Sequence, residues 1–228
     1  GYSGVPDQVD ERTYGGYALY GLVFWQGEVW TAAYQPSGGL FNGLRHMAPT
    51  ATKWTNDSVG YTGHPHMQAV LGGDPDQLWA VAENTGTLTH DLWTRDTAGG
   101  WTKRYTFTLL VNNTVTLIWA GPSGKLLVAL RVGATRSWKY TEDYGATWVD
   151  VGGEIGGNGI PFQPSVSGPT FSDDVLITEI VWNAGLGLQQ VHVHKLDTVA
   201  KTLTDITGSF APSTDQEGNG VGWFGEYL

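Results

Sequence analysis

TEDYGATW, residues 141–148, lies directly after the alternating run SWKY and directly before the alternating VDV. Its acid, glycine and tryptophan are spaced as a tight hairpin needs them. Asp143 is set to accept hydrogen bonds from amides of its own turn, as Asx-turns do. Gly145 supplies a positive φ that a Cβ would resist. Thr141 and Thr147 offer hydroxyls across the loop, and Trp148 opens the next strand with a ring to bury. The stretch predicts a corner between two neighbouring strands of one antiparallel sheet.

On either side, alternating apolar runs return at a spacing of roughly 45 residues, the period of propellers built from four-stranded blades. The third block runs TVTLIWAG, the turn PSG, KLLVALRV, SWKYTED and TWVDVGG. The second runs HMQAVLG, the turn GDPD, QLWAVAEN, LTHDLWTRD and WTKRYTF, and the first ALYGLVFW, EVWTAAYQ, LFNGLRHM and ATKWTND. A looser fourth holds SGPTFSDD, VLITEIVW, LQQVHVHKLD and KTLTDITG. Turns fall at matching places in blocks two and three, and Trp54, Trp101 and Trp148 stand at the start of the last strands. A β-sandwich would use strands of similar length, but the recurring quartets favour an all-β propeller of four-stranded antiparallel blades. Four to five blades, or a fragment of a six- or seven-bladed propeller, both fit. Residues 1–16 are an N-terminal segment that could supply a closing strand, and 17–228 the propeller domain.

Bulk composition agrees. The chain has 228 residues with 33 Gly, 11 Trp, 10 Tyr and 15% charged residues, a mixture that favours short strands and tight turns. No helical period of useful length is present. The net charge of -10 and the lack of a basic run argue against nucleic acid or anionic membrane as a partner. No apolar run is long enough to span a membrane as a helix. The absence of cysteine excludes disulfides and thiolate metal sites, so packing alone stabilises the chain. The opening GYSGVPD has no Met, charged region or apolar region, and is expected to be processed, trimmed or partial.

TEDYGATW fits the Asp-box pattern S/T-x-D-x-G-x-S/T-W in full. TRDTAGGW, with Thr94, Asp96, Gly99 and Trp101, is a degenerate copy whose departure from the pattern predicts a different turn. The final WFGEYL, residues 223–228, is similar to the W-x-G-D-Y-x segment of such proteins, with Glu226 in place of the usual Asp. On these residues the chain resembles the Asp-box (BNR-repeat) β-propellers, which include sialidases and other glycan-directed proteins. The likeness covers about residues 16–228 as a fold and some twenty residues as motif. It implies a rim position for Asp143, and so a fold determinant rather than a catalytic group. Sialidase chemistry would demand three arginines on a sugar carboxylate. Of six arginines, Arg95, Arg104 and Arg136 read onto outer strands or rim turns, and Arg12, Arg45 and Arg131 lack the R-I-P setting, so that activity is not expected.

Candidate sites are polar groups near inner strands, because propeller ligands collect around the channel mouth. GHPHM sets His64 and His66 two apart, on one face of an extended strand. With Tyr61 they are the catalytic candidates, since propeller polysaccharide lyases use a His and a Tyr as acid and base. The bland reading makes them exposed strand-start residues. His192 and His194 share this spacing but read as a surface ladder without a third ligand, and no metal or cofactor is expected. Arg45, Trp182, Asp174 and Glu226 are the ligand-binding candidates: a cation, a ring platform and two acids. Asp174 with Asp173 and Glu179 also reads as a solvated turn, and adjacent Glu226 and Tyr227 face opposite sides.

The function expected is glycan recognition, by a chain secreted or displayed on a particle surface such as a phage tail or fibre. A glycoside hydrolase or polysaccharide lyase, and a purely structural assembly module, are the alternatives. The partners expected are a carbohydrate ligand and a second copy or assembly partner.

Overall fold

A computed structural model describes residues 18–34, 43–57, 66–74, 77–84, 87, 89–108, 114–132, 135–152, 165–167, 174–183 and 188–206. It is all-β. Sheet 1 is formed by β1 (Ala18–Trp25), β2 (Glu28–Tyr34), β3 (Gly43–Met47) and β4 (Thr55–Asp57). Sheet 2 holds β5 (His66–Asp74), β6 (Gln77–Asn84), β7 (Thr89–Asp96) and β8 (Trp101–Thr108). Sheet 3 holds β9 (Thr114–Ala120), β10 (Leu126–Val132), β11 (Thr135–Thr141) and β12 (Val149–Gly152). Sheet 4 holds β13 (Ser165–Ser167), β14 (Asp174–Asn183), β15 (Leu188–Asp197) and β16 (Thr202–Asp205). In each sheet the spatial order follows the chain order. The four quartets follow the four blocks of the sequence and the fold is of the propeller-blade type, but β13 is Ser165–Ser167, ahead of most of the 167–174 stretch expected as the first strand of block four.

Strand ends differ in detail from the alternation. β4 begins at Thr55 because a turn, Ala51 N–H to the Ala48 carbonyl at 2.9 Å, occupies the start of ATKWTND. β12 begins at Val149 because the corner before it holds Thr147.

Two compact units divide the chain, residues 1–117 with sheets 1 and 2, and 118–228 with sheets 3 and 4; β9 spans the boundary. In the first unit Trp25, Trp30 and Leu44 of sheet 1 pack on Leu78, Ala80 and Ala82 of β6, with Trp93 and Trp101 at the margin. The small alanines leave room for the indoles, which meet edge-on: Trp25 to Trp30 at 5.7 Å and Trp30 to Trp101 at 6.5 Å. In the second unit Trp119, Leu127, Trp138, Tyr140 and Val151 pack with Val175, Ile177 and Leu196 of sheet 4.

The stretch 141–148 forms the corner between β11 and β12. Thr147 donates to Asp143 twice, from its amide to Oδ1 at 2.8 Å and from its hydroxyl to Oδ2 at 2.6 Å. The Thr141 hydroxyl donates to Oδ1 at 2.7 Å and accepts from the Gly145 amide at 3.0 Å. These donors, led by the Thr147 hydroxyl, hold the Asp143 carboxyl well below its usual range, at about 2. Gly145 has φ 86°, as its place in the turn demands, and Tyr144 beside it has φ 59°. The Tyr144 ring lies over Gly124 in the turn joining β9 to β10, and its amide donates to the Gly124 carbonyl at 3.2 Å. Sequence reasoning did not anticipate this second anchor.

The degenerate corner of sheet 2 makes a different turn, as expected, without positive φ at Thr97 or Ala98, yet it keeps part of this bonding. Gly100 N–H donates to Asp96 Oδ1 at 3.3 Å and Gly99 N–H to the Asp96 carbonyl at 3.0 Å. Thr147 and Ala146 do the same with Asp143, the backbone bond of Ala146 being 3.2 Å. The left-handed glycine has moved one place later, to Gly99 with φ 93°.

Candidate functional site

Strand alternation carries Glu28 and Trp30 of β2, Leu44 and His46 of β3 and Asp57 of β4 onto one face of sheet 1. Their pairings, Trp30 with His46 and Leu44 with Asp57, keep them side by side. This face covers Leu78, Ala80, Trp93, Arg95 and Trp101 of sheet 2, paired as Ala80 with Trp93 and Arg95 with Trp101. Towards its edge the indole core gives way to a half-buried polar cluster.

Arg95 is its centre. Nη1 lies 2.9 Å from Asp57 Oδ2 and donates to the Gly99 carbonyl at 2.8 Å. The guanidinium stands 5.2 Å from the Trp30 ring and 5.9 Å from that of Trp101. Thus the residue at the unconstrained second position of the degenerate corner reaches across to the neighbouring sheet. The His46 ring stacks on Trp30 at 4.5 Å and 17°, and its Nδ1 lies 2.8 Å from Glu28 Oε2. The Arg95 and Asp57 side chains are each 18% exposed, His46 20% and Glu28 32%, so a solute reaches them at the margin of a desolvated patch. Further along, Asp91 accepts from the Thr106 hydroxyl at 2.6 Å and faces Lys103 at 3.6 Å.

The indole N–H groups of Trp25, Trp30 and Trp101 are enclosed without a hydrogen-bond partner among the described residues. The cluster brings two carboxylates, an imidazole and a guanidinium together beside the half-buried Trp101 ring, at the margin of the two sheets. No described group of three His, Asp or Glu side chains is arranged to hold a metal ion.

None of the candidates drawn from sequence belongs to this set of side chains. Arg45 is on β3 between Thr31 and Asn56, and alternation turns it to the opposite face from His46. His66 opens β5 opposite Glu83, Asp174 opens β14 opposite Asp197, and Trp182 on β14 pairs with Gln189. Tyr61, His64 and Glu226 lie outside the described residues. His192 and His194 do stack, at 6.1 Å, but the surface ladder is corrected at its second rung. His194 is buried, 6.1 Å from Trp138, while His192 stays at the surface with Nδ1 2.9 Å from Asp205. Sequence reading missed Glu28, His46, Asp57 and Arg95. The one available signal was the arginine where the intact corner has Glu142.

No family model and no curated protein matches the chain. Among solved structures it is similar to a prolyl endopeptidase from a structural and mechanistic study of two such enzymes. Identity is 12%, over 83% of this chain and 26% of that one, with a TM-score of 0.52. It is also similar to an Aleuria aurantia lectin variant in complex with Fucα1-6GlcNAc. There identity is 13%, over 92% of this chain and 65% of the lectin, with a TM-score of 0.51. Both are propeller-type folds, so the likeness establishes the fold. The chain spans about a quarter of the first and less than two thirds of the second.

Proposed function

We propose that the chain recognises carbohydrate, and that the polar margin of sheets 1 and 2 is where it does so. The observation that carries this reading is the half-buried set Glu28, His46, Asp57 and Arg95 around the indoles of Trp30 and Trp101. Saccharides are bound by aromatic faces with a few convergent polar groups, and here the half-buried Trp101 ring stands beside Arg95 and Asp57. A lectin among the structures of similar fold, solved with a disaccharide, accords with it. Membership of the Asp-box propellers belongs to the same proposal and is supported by the bonding of the Asp143 corner. So does secretion or display on a particle surface, for which the cysteine-free, weakly charged composition speaks. The test is a glycan array probed with the purified chain. Saturable signal that falls at least about tenfold with Glu28→Gln supports the reading; an array without signal sinks it.

A hydrolytic or lyase activity is the second reading, favoured by one feature. Glu28 at Nδ1 and Trp30 beneath the ring fix the orientation of His46, as a proton-transfer group requires. Release of reducing ends or of unsaturated products by the wild type, lost in His46→Ala, would support it.

A further inference from the structure

The donors left unused at the margin of sheets 1 and 2 narrow the class of saccharide, on the premise that carbohydrate binds there as proposed above. We infer that the ligand is an acidic saccharide, and that the open edge of Arg95 receives its carboxylate or sulfate. Nη1 of Arg95 is spent on Asp57 at 2.9 Å and on the Gly99 carbonyl at 2.8 Å. Among the described residues Nε and Nη2 donate to nothing. Neither belongs to the enclosed polar atoms that lack a partner, so solvent reaches both. Their N–H groups run parallel along one edge of the guanidinium, the fork that takes two oxygens of one anion.

The surroundings hold this edge in place and keep it uncovered. Asp57 and the Gly99 carbonyl fix the far side of the cation, and Trp30 and Trp101 lie at 5.2 and 5.9 Å from it. A side chain restrained in this way loses little further freedom when a ligand binds. A Cβ on residue 99 would stand 3.5 Å from Nη2, and glycine with φ 93° leaves that space open. The intact corner has Ala146 at the same offset from its aspartate. Lys103 adds a second cation. It pairs with Trp93 while Arg95 pairs with Trp101, which makes the two cations diagonal neighbours on one face. The Lys103 ammonium is 49% exposed and 3.6 Å from Asp91, too far for a hydrogen bond, so its N–H groups are not committed to that acid. The nearby acids are engaged: Glu28 faces His46 at 2.8 Å, and Asp91 accepts from Thr106 at 2.6 Å.

The test uses matched glycans, each neutral oligosaccharide beside its uronic-acid form and its sulfated form, titrated by calorimetry. At about 150 mM NaCl the Debye length is about 8 Å, so the repulsion of a chain with net charge -10 is screened and contact decides. At least one acidic form is expected to bind about tenfold or more tightly than its neutral partner, and which form does so names the group on Arg95. Arg95→Lys keeps a cation beside Asp57 but removes the fork, and should cut the acidic-to-neutral affinity ratio to about threefold or less. Should that variant fail to fold, the wild-type protein still decides. The assigned Arg95 Nε–H resonance should shift on titration with the acidic form and stay in place with the neutral one. A resonance unmoved by every acidic form, equal or tighter binding of the neutral partners, or a preference that Arg95→Lys retains in full overturns the inference while the carbohydrate reading stands. Binding of no member sinks that reading and the inference with it.

Discussion

Arg95 of one sheet and Asp57 of the next meet at 2.9 Å, and the guanidinium between them lies over two indoles. The pair closes the outer end of the interface whose inner end is Trp25, Trp30 and Leu78. Both partners are mostly enclosed, so the contact is screened less than a surface pair. Arg95→Ala strands the carboxylate and uncovers the rings, and should destabilise by about 2 kcal/mol in urea unfolding. Arg95→Lys should recover only part of this, because an ammonium lacks the planar fork.

His46 contributes a ring and a polar link to Glu28, and the two are separable. His46→Phe keeps an aromatic face against Trp30 and loses the link to Glu28. It should cost less than His46→Ala, whose loss is about 1–2 kcal/mol. If the two variants melt alike, the stacking is energetically idle.

Asp143 makes the corner sensitive to acid. Its folded pKa is about 2 against an ordinary 3.8, so the unfolded chain takes up the proton first as pH falls. The contribution is complete above 3.8 and is lost as pH drops through the interval down to about 2. Melting temperatures between pH 5 and pH 2 should fall less steeply in Asp143→Asn than in the wild type. At neutral pH Asp143→Ala should cost roughly 1 kcal/mol, since water replaces some of the lost bonds.

Gly124 has φ 82°, and a Cβ there would come within 2.6 Å of the Tyr144 ring. Gly124→Ala should destabilise by about 1–3 kcal/mol through strain and overlap together. Removing the ring relieves only the overlap. The double variant Gly124→Ala with Tyr144→Ala should therefore be more stable than the sum of the singles predicts, by a thermodynamic cycle.

Lys201 and Glu142 meet at 2.6 Å but stand 36% and 45% exposed. Lys201→Ala should shift stability by less than about 0.5 kcal/mol, the usual worth of such a pair in water. A larger loss would mean the contact is more shielded than its exposure indicates.

Repetition is what the sequence made legible. Each quartet of strands has its own alternation and turns, so all of the sixteen described strands but β13 could be placed from local pattern. The acid-pinned corner was legible too, because Thr141, Asp143 and Thr147 bond to one another within seven residues. The polar margin was not. Glu28, His46, Asp57 and Arg95 come from four different strands, and nothing local marks their convergence. Trp30 reads as packing, which it is, and only the neighbouring sheet reveals the cation on its ring. The Tyr144 contact with Gly124 was hidden likewise, as it joins two turns separated by a whole hairpin. Burial of His194 followed from Trp138, on another sheet.

Every described strand pairs only with its neighbours in the chain, so among the described residues no ladder runs from one quartet to another. A gene rearrangement that copied or removed one quartet would cut no backbone pairing and would leave only side-chain seams to refit. Such a molecule lengthens or shortens by modules, and the seams, with residues such as Arg95 that stitch them, are where lineages are free to diverge.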